Sequence, residues 1–309
     1  MRWLLPTAAL LLTGCAADVS EDDDLEEVGT DSEEVSAPRC GAVKAKTTVR
    51  VKVMTLNLRH DADDWRRRFA LIADEIVRLD PDVIGLQEVE IGKGQADALN
   101  DLIKRRGHAK YHVHQKRKPG VKGFFTGEGV GIMSRWPMAE KAHEDLPEMR
   151  ISVFARIKHP SGGSFDVLDT HLHHKGGAAA DAIRLEEAKQ TVDLANRRSD
   201  CYATFLTGDM NAKEGSPALR HFASAGFADS YRAVHGDATA GTGATSPIVL
   251  RDGAFTQNPR NRIDFVLGRS AGGRTVRPVA SIVALRNHDA KGYYPSDHLA
   301  VMTTFDVGL

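Results

Sequence analysis

Six clusters of carboxylate, amide and imidazole side chains sit at the ends of short apolar runs. Asn57 follows Val53-Met54-Thr55-Leu56, and Glu88 follows Val83-Ile84-Gly85-Leu86-Gln87. Asp169 and His171 come after Phe165-Asp166-Val167-Leu168, and Asp209 and Asn211 after Phe205-Leu206-Thr207-Gly208. Asp264 lies in Arg262-Ile263-Asp264-Phe265-Val266, and Asp297-His298 precede the final apolar run. A lone Asp at a strand end is most often a turn former. Six mixed clusters ask for more, because the ends of neighbouring strands converge in space. Carboxylates suit a hard, oxygen-loving cation, and an imidazole suits proton transfer. His171, His173 and His174 are also clustered, with His171 and His173 on one strand face, which opens a zinc reading. No His-Glu-x-x-His or Cys-x-x-Cys accompanies them, so the further ligands that zinc needs have no sequence support. His173 and His174 read instead as supporting or surface groups.

The elements that must position these groups alternate between strand and helix patterns. Val49 to Met54 alternates apolar and polar residues, as a half-buried strand does. Trp65 to Leu79 has helical spacing in Phe69, Ile72, Ile76 and Leu79, and Asp80-Pro81 stops it. Residues 96–106, 178–197 and 216–225 read as further helices. Strands are expected at 83–86, 130–133, 153–157, 165–168, 202–206, 263–267 and 300–305. His159-Pro160-Ser161-Gly162-Gly163 is a turn between two of them. Several strands follow one another as hairpins, which predicts mixed sheets rather than a doubly wound parallel sheet. Residues 236–261, rich in Gly, Thr, Ala and Asn, are expected to form a long irregular loop.

The 309 residues are 41% hydrophobic, enough for a large buried core. The net charge of −1 hides an asymmetry. Of the 42 Asp/Glu and 41 Lys/Arg, residues 1–40 hold ten acidic and two basic side chains. The rest of the chain therefore carries a surplus of seven positive charges, which favours anionic substrates. Arg2 and the apolar stretch Leu4 to Leu12, too short to span a bilayer, read as an export signal. It closes on Leu12-Thr13-Gly14-Cys15, which resembles the bacterial lipobox. The expectation is a lipid on Cys15 that anchors the protein to a bacterial envelope membrane without a spanning helix. Residues 16–46 then read as an acidic, disordered tether, and 47–309 as the catalytic domain. Cys40 and Cys201 remain, and outside the cytoplasm they either pair or stay free.

Seven segments in order resemble the endonuclease/exonuclease/phosphatase (DNase I-like) superfamily. They are Met54-Thr55-Leu56-Asn57-Leu58-Arg59, Asp82 to Glu88, Gly129 to Pro137, Asp169-Thr170-His171-Leu172, Gly208-Asp209-Met210-Asn211, Arg262-Ile263-Asp264-Phe265 and Ser296-Asp297-His298. Each is short, but together they span residues 53–299. The resemblance implies an α/β fold, a four-layer sandwich of two packed mixed β-sheets flanked by helices. It also implies a phosphoesterase dependent on Mg²⁺ or Mn²⁺. Glu88 would hold the metal, with Asn57 and Asp297 beside it. Asp264 would fix the tautomer of His298, and the pair would take a proton from the attacking water. Asp209 and Asn211 would sit at the scissile phosphate, and His171 would contact it or assist the leaving oxygen. Arg262 is a further substrate-binding expectation, whereas Asp169 is expected to brace the site. A cation is needed because an anionic phosphodiester repels nucleophiles.

Substrate class divides three ways. Lys104-Arg105-Arg106, Lys110 and Lys116-Arg117-Lys118 crowd one segment that leads to Phe124-Phe125. Such a segment could track and stack a nucleic acid, which makes a nuclease the first expectation. A membrane anchor and the Phe pair also fit a lipid or small-molecule phosphodiesterase or phosphatase. A catalytically silent binding module is the third class, and the intact Glu88, Asp209, Asp264 and His298 argue against it.

Overall fold

The computed structural model describes residues 45–120, 127–198, 201–236, 243–246, 248–251 and 254–309, all within one compact unit, Ser36–Leu309. Residues 1–44, which include the expected export segment with Cys15, most of the acidic stretch and Cys40, and also Phe124-Phe125, lie outside the described residues. Strand β1 (Thr48–Asn57) leads through helix α1 (Trp65–Leu79) to β2 (Val83–Glu90), which lies parallel to β1. Helix α2 (Gln95–Arg105), β3 (His112–Arg117) and β4 (Glu128–Ser134) follow. The second half begins with the antiparallel strands β5 (Met138–Leu146), β6 (Arg150–Lys158) and β7 (Ser164–His171). Helix α3 (Ala178–Arg198) then crosses over to β8 (Thr204–Asp209), parallel to β7. Helix α4 (Pro217–Ser224), β9 (Ala228–Asp229), α5 (Ser230–His235) and a hairpin of β10 (Val249–Arg251) and β11 (Ala254–Gln257) come next. The chain closes with β12 (Asp264–Arg269), β13 (Val276–Ala284) and β14 (Ala300–Gly308).

Two six-stranded sheets result, ordered β13-β14-β1-β2-β4-β3 and β5-β6-β7-β8-β12-β9. Each contains one parallel pair, and each such pair is joined by one helix, as a parallel connection requires. Three apolar clusters define four layers. Met54, Leu56, Ile84 and Leu86 face Phe69, Ile72 and Ile76 of α1. Val51, Val53, Val130, Val153, Phe165, Phe205 and Phe305 fill the space between the sheets. Leu168, Leu206 and Phe265 pack against Val192 and Leu194 of α3 and Phe222 of α4. The side-chain alternation of β1 explains the split, since Val51 and Val53 face one layer and Met54 and Leu56 the other. The four-layer sandwich of two mixed sheets is the fold of this chain.

Local sequence accounts for the boundaries. Asp64 caps α1 by accepting the Arg67 N–H, and Asp80 ends it in a left-handed conformation before Pro81. Ser216 caps α4, with Pro217 in its first turn. The expected long loop at 236–261 is not wholly irregular, because it contains the β10–β11 hairpin. No helix among the described residues is long and apolar enough to cross a membrane.

Candidate active site

The carboxyl ends of the two parallel pairs meet at one edge of the sandwich. Asn57 is level with Gln87 across β1/β2, His171 is level with Asp209 across β7/β8, and Asp264 is level with Asp209 across β8/β12. The Asn57 amide ties the sheets together, donating to Glu88 Oε1 at 3.2 Å and to Asp209 Oδ2 at 3.1 Å. Glu88 reaches this position through a bulge in β2 opposite β4, with a left-handed φ of 54°. A bulge re-aims a side chain, and such strain in a Glu is characteristic of functional positions. Asn211 is also left-handed (φ 46°), its backbone N–H donating to Asp209 Oδ1 at 2.9 Å and its side-chain amide to the Leu172 carbonyl at 3.0 Å.

His298 is gripped from one side. Its Nδ1 lies 3.1 and 3.0 Å from the two oxygens of Asp264, while Nε2 is 3.1 Å from Ser246 Oγ. Burial pushes the imidazole pKa down, but Asp264 and Asp209 outweigh it and hold His298 well above the ordinary histidine value. Asp209 is pushed up by burial and by Asp264, against the pull of His298 and His171.

A second cluster joins Glu88, Glu128 and His171, whose ligand atoms all lie within 4.8 Å of one another. Glu88 is pushed up by burial and by the charge of Glu128. Burial pushes Glu128 up too, but hydrogen bonding to His171 and the charge of Lys118 bring it down to about 2. Burial lowers His171 to about 4, so this imidazole is neutral at pH 7. Two half-buried carboxylates and a neutral imidazole fit a divalent cation, which would relieve the repulsion that raises Glu88. Lys118 bonds to Glu128, and the Arg150 guanidinium meets His174 Nδ1 at 2.7 Å. These groups line a cleft of about 440 Å³ with Arg59, His60, Glu88, His171, Asp209, Asn211, Asp297 and His298.

Behind the cleft, Arg68 organises the loops that present it. Its buried guanidinium donates to the carbonyls of Leu58, Arg59, His60, Ala62 and Pro295. Between the sheets, Asp169 accepts from Gln87 Nε2 at 2.6 Å and Thr207 Oγ1 at 2.8 Å. Burial raises its pKa well above the usual Asp value. The layers approach so closely there that a Cβ on Gly85 would lie 2.0 Å from Thr207 Oγ1. Asp169 thus links the two sheets behind the cleft.

The structure brings Glu88, His171, Asp209, Asn211, Asp297 and His298 into one cleft, with Asn57 and Asp264 directly behind. One expectation changes and one is extended. Asn57 and Asp297 do stand beside Glu88, Asn57 by its amide hydrogen bond and Asp297 by its charge, while Asp297 also pairs with Arg59 at 3.3 Å; the addition is Glu128, whose carboxylate lies with Glu88 and His171. Arg262 is absent from the cleft lining and is held by Asp229 at 2.6 Å and Glu214 at 2.8 Å. His173 joins neither metal-capable cluster among the described residues, and its backbone N–H binds Glu187. Within the basic run, Arg106 pairs with Asp74, Lys110 with Asp101, and Lys118 turns into the cleft. Cys201 is disulfide-bonded, and both other cysteines lie outside the described residues.

Glu128, Lys118, Arg150, Arg68 and Ser246 were not singled out by strand-end reasoning as parts of the site. A signal existed for two of them. Strands β4 and β6 run antiparallel to β2 and β7, so Glu128 and Arg150 at their starts share an edge with the ends of those neighbours.

Known proteins place this geometry. Over 172 residues the chain is 24% identical to Nocturnin of Drosophila melanogaster, a match covering 51% of this chain and 26% of that protein's length. The human Nocturnin catalytic domain with bound sulfate has a TM-score of 0.66 at 20% identity, covering 88% of this chain and all (100%) of that one. An endonuclease/exonuclease/phosphatase from Beutenbergia cavernae has a TM-score of 0.65 at 22% identity, covering 84% of this chain and 72% of that one. These likenesses show the fold. The model of the Endonuclease/Exonuclease/phosphatase family matches residues 54–298. The chain belongs to the endonuclease/exonuclease/phosphatase family, whose members are divalent-metal-dependent hydrolases of phosphoric esters.

Proposed function

We propose that this chain hydrolyses a small phosphoester, by attack of a water that His298 deprotonates at Nε2. The observation that carries the substrate reading is the cleft wall, where Lys118 and Arg150 are only 9% and 6% exposed and stand beside His171 and His174. Cations set into a pocket concentrate charge at one point, whereas a nucleic-acid strand asks for a line of exposed ones. Asp264 holds Nδ1–H and stabilises the imidazolium as the proton arrives. Asn211 supplies a neutral group beside the phosphate, and neutral His171 supplies a hydrogen bond rather than a proton. Glu88 would hold the divalent metal, with Glu128 as a further ligand beside Asn57 and Asp297. When bound, that metal neutralises charge building on the phosphoryl and leaving oxygens. The reading is tested with plasmid DNA, RNA, sphingomyelin, a small phosphodiester and small phosphomonoesters at low and high salt. The small esters should be turned over with a shallow salt dependence. Preferential cleavage of DNA or RNA that collapses with salt would replace this reading with a nuclease.

A further inference from the structure

His174 is an exposed residue on the cleft wall, next in the chain to the buried His173. The Arg150 guanidinium donates to its Nδ1 at 2.7 Å. A guanidinium has only donors and keeps its charge, so this contact makes Nδ1 an unprotonated acceptor. The imidazole hydrogen is then on Nε2. His174 is thereby a neutral donor of fixed tautomer, set in the same cleft as the cations Lys118 and Arg150.

Helix α3 grips the backbone on both sides of His174. The buried Arg184 donates through Nη1 to the carbonyls of His173 at 2.7 Å and Lys175 at 2.6 Å. Its Nη2 is held by Asp181 at 2.6 Å. Glu187, one helical turn further on, is fully buried and accepts the His173 N–H at 2.8 Å. The segment is also tied to the reacting side. The Leu172 N–H donates to the Asp209 carbonyl at 3.0 Å, and the Leu172 carbonyl accepts the Asn211 amide at 3.0 Å. Burying an arginine and a glutamate is unfavourable unless both are well bonded. Glu187 Oε1 and His173 Nδ1 nevertheless lack a hydrogen-bond partner among the described residues. An exposed turn without a task does not need such fixing, whereas a side chain that must meet a ligand at a set position does.

We propose that His174 donates from Nε2 to a non-reacting oxygen of the substrate's phosphoryl group, and that Arg184 and Glu187 are positioning residues that aim it. This rests on the small-phosphoester reading above and adds the residues that set how the phosphoryl group is oriented. Arg150 acts twice, by bringing charge to the cleft wall and by fixing the His174 tautomer.

Two readouts on the whole protein test it. Long-range ¹H–¹⁵N NMR, with the signal assigned by its loss in His174→Ala, should show the hydrogen on Nε2 and none on Nδ1. Kinetics on the best small phosphoester, with Mg²⁺ or Mn²⁺, read the contact itself. His174→Ala should raise KM about tenfold or more, the usual loss of a hydrogen bond to a charged acceptor, with kcat changed much less. His174→Gln, whose amide still donates, should recover part of the loss. Arg184→Ala should raise KM similarly, and that rise should vanish when residue 174 is already Ala, because both changes remove one contact. Arg184→Lys runs through the same cycle and decides the matter if Arg184→Ala does not fold. A purely structural role would lower the melting temperature and act equally in both backgrounds. An unchanged KM in His174→Ala, a hydrogen on Nδ1, or an Arg184 effect on KM that persists without His174 would overturn the inference. Failure to hydrolyse any small phosphoester, with the Nε2–H tautomer intact, would instead overturn the functional reading on which it rests.

Discussion

Replacing Asp264 by Asn keeps the shape of the side chain and removes its charge. Both Asp264 oxygens lie within 3.1 Å of His298 Nδ1, and Asp264 is 1% exposed, so little water can substitute. The amide cannot stabilise the imidazolium, and its N–H can hold Nδ1 as an acceptor. The hydrogen then sits on Nε2, where the proton of water must arrive. General-base catalysis is worth about 10²–10⁴ in rate, or roughly 3–5 kcal/mol, so kcat should fall by that factor with KM little changed. The pH dependence follows from the same contact. The working base is neutral, so wild-type activity declines as pH falls through the His298 pKa. Burial lowers that pKa, yet Asp264 and Asp209 keep it well above the ordinary value. Asp264→Asn removes the larger upward push, so the acidic limb should move to lower pH while the plateau drops. The assay is a kcat–pH profile at saturating divalent metal on the best substrate of the panel. A folded variant with turnover within threefold of wild type and an unmoved limb would refute the reasoning.

Three further perturbations separate positioning from chemistry. Arg68→Lys replaces a fork that reaches five carbonyls with a single ammonium; stability should fall by roughly 2–4 kcal/mol in urea melts, with activity reduced in the folded fraction. Asp169→Asn should retain activity within about threefold, as a neutral brace requires. Because the raised Asp169 pKa favours the protonated fold, wild-type stability should fall as pH rises above the usual Asp range, and Asn should flatten that loss. For export, Cys15→Ser should shift the protein out of the detergent-soluble membrane fraction, and wild type found free in solution with residues 1–15 uncleaved would contradict the anchor.

Much of the site was legible because β1, β2, β7 and β8 end in polar residues after apolar runs, and parallel neighbours end at the same edge. Glu128 and Arg150 were not, since antiparallel strands bring their starts to that edge, and a strand start preceded by a loop looks like any surface turn. Arg68 was hidden in Trp65-Arg66-Arg67-Arg68, where three arginines look equally exposed until the helix phase turns one inward. The edge strand β5, Met138–Leu146, has alternate charged residues and little apolar content, as an edge needs, so its pattern resembles a loop. Arg262 lies two residues before Asp264 in the same motif, but its side chain is held by Asp229 and Glu214 rather than in the cleft.

Under the proposed mechanism Glu88 anchors a divalent metal without which the cleft cannot hydrolyse a phosphoester. This is tested most directly by titrating Mg²⁺ or Mn²⁺ into chelated wild type and Glu88→Gln while following turnover of the best substrate. Wild-type activity should vanish on chelation and return with metal. Glu88→Gln should need at least tenfold more metal to reach half of its own maximum. Activity that survives exhaustive chelation, or identical metal curves for the two proteins, would contradict the account.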